Sequence, residues 1–344
     1  MSEETLESLG EFGLIRRIEK KTTVRNGSTL KGIGDDAAVI NAQGRCQVVT
    51  SDLLLEGIHF DLTYCPLRHL GYKAVTVNLS DVYAMNAQPK QIIVSIGVSN
   101  KFTLKAIDEL YEGISLACER CGVDLVGGDT TPSLTGLTIS ITAIGEGEKE
   151  KLTYRSGAKP NNIICVSGDL GAAYMGLQLL EREKRVLKGV NNGQPEFEGY
   201  SYILERQLKP EPRADVVKFL NDIEVVPTSM IDVSDGLSSE MLHICERSGV
   251  GCCLYEEKIP IAVATGNMAK ELNFNQTVAA LNGGEDYELL FTITADDYQK
   301  FQSVPGPNLY AIGFITEASK GRRLITTGGS EIELTAQGWK SFGN

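Results

Sequence analysis

A chain of 344 residues with 42% hydrophobic and 23% charged side chains has the balance of a water-soluble globular protein, long enough for two domains. Its net charge of −12 excludes a protein that grips nucleic acid through a general basic field. No stretch of about 18 apolar residues is present, and the acidic start lacks the basic and then apolar order of a leader, so a cytoplasmic protein outside the membrane is expected.

Hydrophobic spacing predicts a strand at 46–50, a helix at 67–86, a strand at 91–98, a helix at 104–121 and a strand at 137–145. In the second helix Ile107, Leu110, Tyr111, Ile114 and Cys118 recur at helical intervals, which makes Cys118 a small buried side chain. The eight cysteines are irregularly spaced, only Cys118 and Cys121 form a CxxC, and no second Cys or His pair completes a zinc site. A charged, glycine-bearing stretch at 145–151 reads as a domain boundary. Beyond it come a strand at 163–167, helices at 172–183, 214–220 and 234–248, and strands at 288–294 and 309–315. The polar segment 188–199 reads as a surface loop or lid.

The chemistry-bearing feature is a set of aspartates with small neighbours, read as lying where strands meet turns: GIGDDAAVI (Asp35, Asp36), VVTSD (Asp52), NLSD (Asp81), VGGDT (Asp129) and IDVSDG (Asp232, Asp235). Any one of them fits ordinary turn chemistry, because Asp caps backbone N–H groups. Together they fit hard cations, since carboxylates repel one another and repel phosphate unless metal lies between, and an all-oxygen set suits Mg²⁺. The chain has neither GxxxxGK[ST] nor the VAIK and HRD elements of protein kinases, so metal bridging is the remaining device for holding a nucleotide phosphate.

The segments GEFGLI, GIGDDAA, TSDLLLEGIHF, YKAVTVNLSDVYAM, LVGGDTT, YRSGAKP, IDVSDGL and GGEDYEL, in this order and nearly end to end, resemble the thiamine-monophosphate kinase family. The resemblance implies a PurM-like α+β fold of two domains: residues 1–150, a mixed-sheet domain forming a barrel in a homodimer, and residues 151–344, a layered α/β domain. It also implies transfer of the ATP γ-phosphoryl group to thiamine monophosphate. By the same resemblance Asp36, Thr50, Ser51, Asp52, Asp81, Asp129, Asp232 and Asp235 are expected to hold Mg²⁺, with Asp35 in support. Tyr111, Gly128, Asp129, Arg155 and Ser234 are expected to contact ATP, and His59 and Glu285 thiamine. Trp339, in preference to Phe342, is expected to cover the substrate, a flat ring suiting a cationic aromatic ligand.

His59 lies in what reads as an alternating strand, and His69 and His243 carry no motif and are expected to be structural. Asn86 stands where the family commonly has Gly, and the 188–199 loop is longer than usual. Three rivals have distinct marks. A selenophosphate synthetase calls for a reactive Cys or Sec near the start, where none precedes Cys46, and the carbamoyl dehydratases of hydrogenase maturation end in a reactive Cys, whereas this chain ends Ser-Phe-Gly-Asn. A Mg-ATP sensor would bind nucleotide without turnover.

Overall fold

The computed structural model describes residues 27–42, 44–187 and 197–337, with positions 13, 15, 16 and 19 before them. Most of GEFGLI, residues 188–196, Trp339 and Phe342 therefore lie outside the described residues.

Thirteen strands form two sheets among the described residues. The first contains β1 (Thr29–Lys31), β2 (Ala38–Ala42), β3 (Arg45–Leu55), β4 (Gln88–Val98), β5 (Asp124–Pro132) and β6 (Thr138–Gly147), in the order β1-β2-β3-β6-β4-β5. All its pairs are antiparallel except β4 with β5. The second contains β7 (Ile163–Ser167), β8 (Ser229–Asp232), β9 (Gly251–Tyr255), β10 (Leu289–Ile293), β11 (Leu309–Thr316), β12 (Arg322–Ile325) and β13 (Glu331–Glu333), in the order β13-β12-β9-β11-β7-β10-β8.

Local sequence accounts for these elements. In β3, Cys46, Val48 and Leu54 are buried and alternate with exposed Gln47, Ser51 and Leu53, the period of a strand covered on one face. In β7 every residue from Ile164 is buried, and the side chains divide between two cores: Ile164 and Val166 on one face, Cys165 on the other. Such a two-sided strand reads as one unbroken apolar run. The Leu104–Cys121 helix starts at Thr103, whose side chain accepts from Ala106 N, and stops at left-handed Gly122.

The helix Leu67–Ala84 organises the molecule. It packs against β3, β4 and β6 of one sheet and β8 of the other, and every residue from Leu70 to Ser80 is buried. A helix enclosed on all sides shows no polar stripe, which is why its sequence carries Lys, Thr, Asn and Ser at covered positions. Its close approach to the Leu104–Cys121 helix depends on glycine: a Cβ on Gly71 would lie 2.0 Å from Leu110 O, and one on Gly113 1.9 Å from Arg68 O. Past its end Asn86 takes φ +54°, a conformation Asn tolerates, and donates Nδ2 to Lys151 O at 2.8 Å. Asn at this position thus leaves the helix end intact.

The helix at 104–121 and the strands at 91–98, 137–145 and 163–167 fall where the sequence places them, whereas nine-residue β5, the helices Ser201–Leu208, Val263–Glu271, Gln276–Asn282 and Ala295–Ser303, and short β8, β9 and β12 had no expectation. Two expectations need correction. Of the aspartates read as turn residues, Asp52 lies within β3, Asp81 within the central helix and Asp129 within β5. His59 lies in a turn after β3, where its Nδ1 accepts from Leu55 N at 3.0 Å, because Gly57 at φ +81° ends the strand early. Among the described residues no helix is long and apolar enough to cross a membrane.

Candidate active site

Three elements from distant parts of the sequence meet at one point. Asp36 lies in the bend before β2, Asp81 near the end of the central helix and Asp232 at the end of β8. Each offers a carboxylate oxygen within 4.8 Å of the others. Asp36 is 6% exposed and Asp232 3%. On β3 the inward alternation adds Thr50, whose Oγ1 donates to Asp81 Oδ2 at 2.6 Å, and Asp52, whose backbone N–H donates to Asn78 Oδ1 at 3.0 Å. Asn78 thereby ties β3 to the central helix.

The arrangement is electrostatically costly by itself. Burial, then repulsion from Asp52, Asp232 and Asp36, holds the Asp81 carboxyl well above its usual range. Asp232 is pushed up to about 7 by burial and by Asp36. Close, buried, all-oxygen donors that resist ionisation side by side are what a divalent hard cation stabilises, so the residues present fit Mg²⁺.

Arg155 provides positive charge on one side. Its Nε and Nη2 reach Asp36 Oδ2 and Oδ1 at 2.9 and 2.8 Å, a two-pronged pair. Asp35 supports this turn: its Oδ1 accepts from Arg155 N at 3.0 Å and its Oδ2 lies 3.4 Å from Lys31 Nζ. Burial and the neighbouring Asp36 raise the Asp35 carboxyl.

The loop after β8 is held by a residue that sequence reading passed over. Buried Glu240, one turn into the helix Leu237–Ser248, accepts through Oε1 from Asp235 N at 2.8 Å and from Ser234 N and Oγ at 3.3 Å. Glu240 stands one position beyond the place of a capping-box acid counted from Gly236, and its carboxylate reaches back to N–H groups that precede the helix. Glu285 N in turn donates to Ser234 O at 2.6 Å, so GGEDYEL is bound to IDVSDG through the backbone.

Not every expected residue points the same way. Ser51 is exposed on the opposite face of β3, where its hydroxyl meets Ile141 O at 3.2 Å and Thr142 Oγ1 at 3.1 Å, leaving its main chain as the part nearest Thr50 and Asp52. Asp129 is exposed on the edge strand β5 and shares with Tyr111 and Gly128 a cavity of about 470 Å³, lined also by Val94 and Leu125. Gly128 is required there because a Cβ would lie 1.8 Å from Val94 O.

His243, on the same helix as Glu240, is structural in a definite sense. Burial, then Arg155, Arg16 and Arg247, push its imidazole down to about 3 from 6.5. A base held neutral in the fold gives stability that is present above pH 6.5 and lost as pH falls toward 3. We expect His243→Gln to flatten the acid side of the stability profile relative to the native protein. Urea midpoints at pH 7, 6, 5 and 4 that run parallel in both proteins would contradict this.

Residues 34–146 match the family model of the AIR synthase related protein, N-terminal domain. Thiamine-monophosphate kinase of Bacillus subtilis (strain 168) is 34% identical over 339 residues, covering 97% of this chain and 100% of that protein. The chain belongs to the thiamine-monophosphate kinase family. The family's Aquifex aeolicus (strain VF5) member is 33% identical over 338 residues, 98% of this chain and 99% of its own. The solved structure of AaThiL complexed with AMPPCP and TMP superposes with a TM-score of 0.83 at 31% identity, covering 99% of this chain and 100% of that one. A HypE structure in complex with ATP, at 18% identity and TM-score 0.68, shares the fold alone.

Proposed function

We propose that this thiamine-monophosphate kinase family member transfers the γ-phosphoryl group of ATP to the phosphate of thiamine monophosphate, giving ADP and thiamine diphosphate. The observation that carries the reading is the convergence of Asp36, Asp81 and Asp232 within 4.8 Å, in a chain similar throughout to a kinase solved with AMPPCP and TMP.

In this reading Asp36, Asp81 and Asp232 hold Mg²⁺, flanked by Asp52, Thr50 and the main chain of Ser51, with Asp129 and Asp235 completing the set. Mg²⁺ supplies neutralisation of the charge on the two phosphates that must approach. Tyr111, Gly128 and Asp129 line the nucleotide side, Ser234 joins them from the loop after β8, and Arg155 stands beside Asp36. His59, Glu285 and Trp339 hold thiamine. An oxygen of the acceptor phosphate attacks the γ-phosphorus in line, the bond to the bridging oxygen breaks, and its electron pair stays with ADP. The acceptor is largely dianionic at neutral pH, so no base must remove a proton; the motifs offer no His, Ser or Cys nucleophile with an evident activating base, so in this reading transfer is direct, without a phosphoenzyme.

The domain division at 1–150 and 151–344 belongs to the same proposal, as does a cytoplasmic homodimer joined through the first sheet. Supporting the dimer, β5 is an edge strand exposed along its length, with Leu125 40% and Val126 57% exposed, a surface that invites pairing.

A coupled assay for ADP decides the reading: release should require both thiamine monophosphate and Mg²⁺. ATP binding with no acceptor-dependent ADP would make the protein a nucleotide sensor, and labelled protein after γ-labelled ATP alone would end the direct-transfer model. We further expect Gly128→Ala to weaken nucleotide binding by at least about tenfold, since the strand carrying Asp129 must move away from β4. Calorimetry with AMPPCP checks this, and unchanged affinity would detach Asp129 from the nucleotide.

A further inference from the structure

Lys73 is one of the least expected residues in the molecule. It is 4% exposed, on a helix enclosed by two sheets, where an unpaired ammonium group would be strongly unfavourable. Its partners form a closed ring. Lys73 Nζ lies 2.9 Å from Glu285 Oε1 and donates to Gln207 O at 3.0 Å, while Gln207 Nε2 donates to Glu285 Oε2 at 2.7 Å. Both oxygens of Glu285 are thus fixed, one from the central helix and one from the helix Ser201–Leu208.

Glu285 needs that fixing. Its φ is +59° and that of Tyr287 is +50°, conformations that side-chain-bearing residues adopt at a cost and only when surroundings hold them. Backbone bonds from Glu285 N to Ser234 O and from Tyr287 N to Val233 O anchor the loop to the turn between Asp232 and Asp235. They set the main chain but leave the long Glu285 side chain free to rotate. With its side chain still 30% exposed, the carboxylate is held by Lys73 and Gln207 at the border of the covered interior and the open site.

We infer that Lys73 is a positioning residue of the acceptor site, acting through Glu285, with Gln207 as the second arm of the same clamp. This rests on the proposed function, in which Glu285 meets thiamine. A preset carboxylate keeps more of the energy of its hydrogen bond to ligand, because less side-chain freedom is lost on binding. The central helix then serves both ends of the reaction, with Lys73 oriented to the acceptor and Asp81 to the metal.

Calorimetric titration of thiamine monophosphate into the full-length protein carrying AMPPCP and Mg²⁺ tests the inference. Lys73→Met should weaken acceptor binding by roughly tenfold or more and leave AMPPCP affinity within about twofold of native. The Lys73→Met, Glu285→Ala double variant should bind acceptor no more weakly than Glu285→Ala alone, since Lys73 acts through that carboxylate. Should Lys73→Met fail to fold, Gln207→Leu removes one arm with little change of volume, and should weaken acceptor binding in the same direction.

Native acceptor affinity in both Lys73→Met and Gln207→Leu would overturn the inference, as would additive losses in the double variant. Parallel losses of acceptor and AMPPCP binding would also overturn it, by making Lys73 a tether for the whole fold. A native protein that binds no thiamine monophosphate would instead remove the proposed function on which the inference stands.

Discussion

Replacing Asp81 by Asn is expected to lower kcat on the order of a hundredfold to a thousandfold at saturating ATP, thiamine monophosphate and Mg²⁺, while making the metal-free protein more stable. The loss follows from removing one of three converging charges that would hold Mg²⁺ beside the transferred group; magnitudes of this size attend loss of one preorganised electrostatic group. The gain in stability follows from the raised Asp81 carboxyl, which burial and repulsion from Asp52, Asp232 and Asp36 disfavour as an anion. An amide keeps the shape and can still accept the Thr50 Oγ1 hydrogen bond.

Asp232 adds a pH signature. Its carboxyl is raised from 3.8 to about 7, so its favourable contribution is full below about pH 3.8 and is lost as pH rises through 7. Asp232→Asn should remove that component, so the metal-free variant should gain most over the native protein at pH 8. Thermal melts at pH 6 and 8, with and without Mg²⁺, check both variants, together with kcat. A folded Asp81→Asn enzyme with near-native kcat would sink the metal-bridge reading. A variant less stable than the native protein without Mg²⁺ would show that the carboxylates are not in conflict.

Replacing Arg155 by Met is expected to produce the opposite balance, a loss of both stability and nucleotide affinity. The Asp36 side chain is fully covered and that of Arg155 is 19% exposed, so removing the guanidinium strands a buried carboxylate. Breaking such a pair costs about 3–5 kcal/mol, far above an exposed ion pair. The backbone bond from Arg155 N to Asp35 survives the change, so the turn should persist. Added Mg²⁺ should restore part of the lost stability, because cation at Asp36 supplies the missing charge, whereas the KM for ATP should stay high. An Asp36→Asn change on top of Arg155→Met should recover stability without activity. If Arg155→Met unfolds at the native denaturant concentration, the pair contributes nothing net to the fold.

Local sequence was enough to place the Leu104–Cys121 helix and to state the chemistry available. Residues 104–121 carry helical spacing, Thr103 and Gly122 close it, and the alternation of β3 marks which of its residues face inward. It also supplied Asp36, Asp52, Asp81 and Asp232 as a set whose mutual repulsion makes sense around metal. Which of these groups meet depends on packing between distant segments. Thr50 and Ser51 are adjacent in sequence, yet strand alternation sends one hydroxyl to Asp81 and the other to β6 on the far face. VGGDT reads as a turn, but pairing with β4, 30 or so residues earlier, extends it into an exposed edge strand.

Lys73, Gln207 and Glu240 gave no such signal, since each in its local sequence is an ordinary polar residue of a helix. Their burial arises from the packing of the central helix between two sheets and from loops that return more than 100 residues later, as Lys73 and Glu285 do. Sequence spacing records which face a residue shares with its near neighbours. It does not record what is later laid against that face, and here that nonlocal packing decides which charges are buried and with what partners.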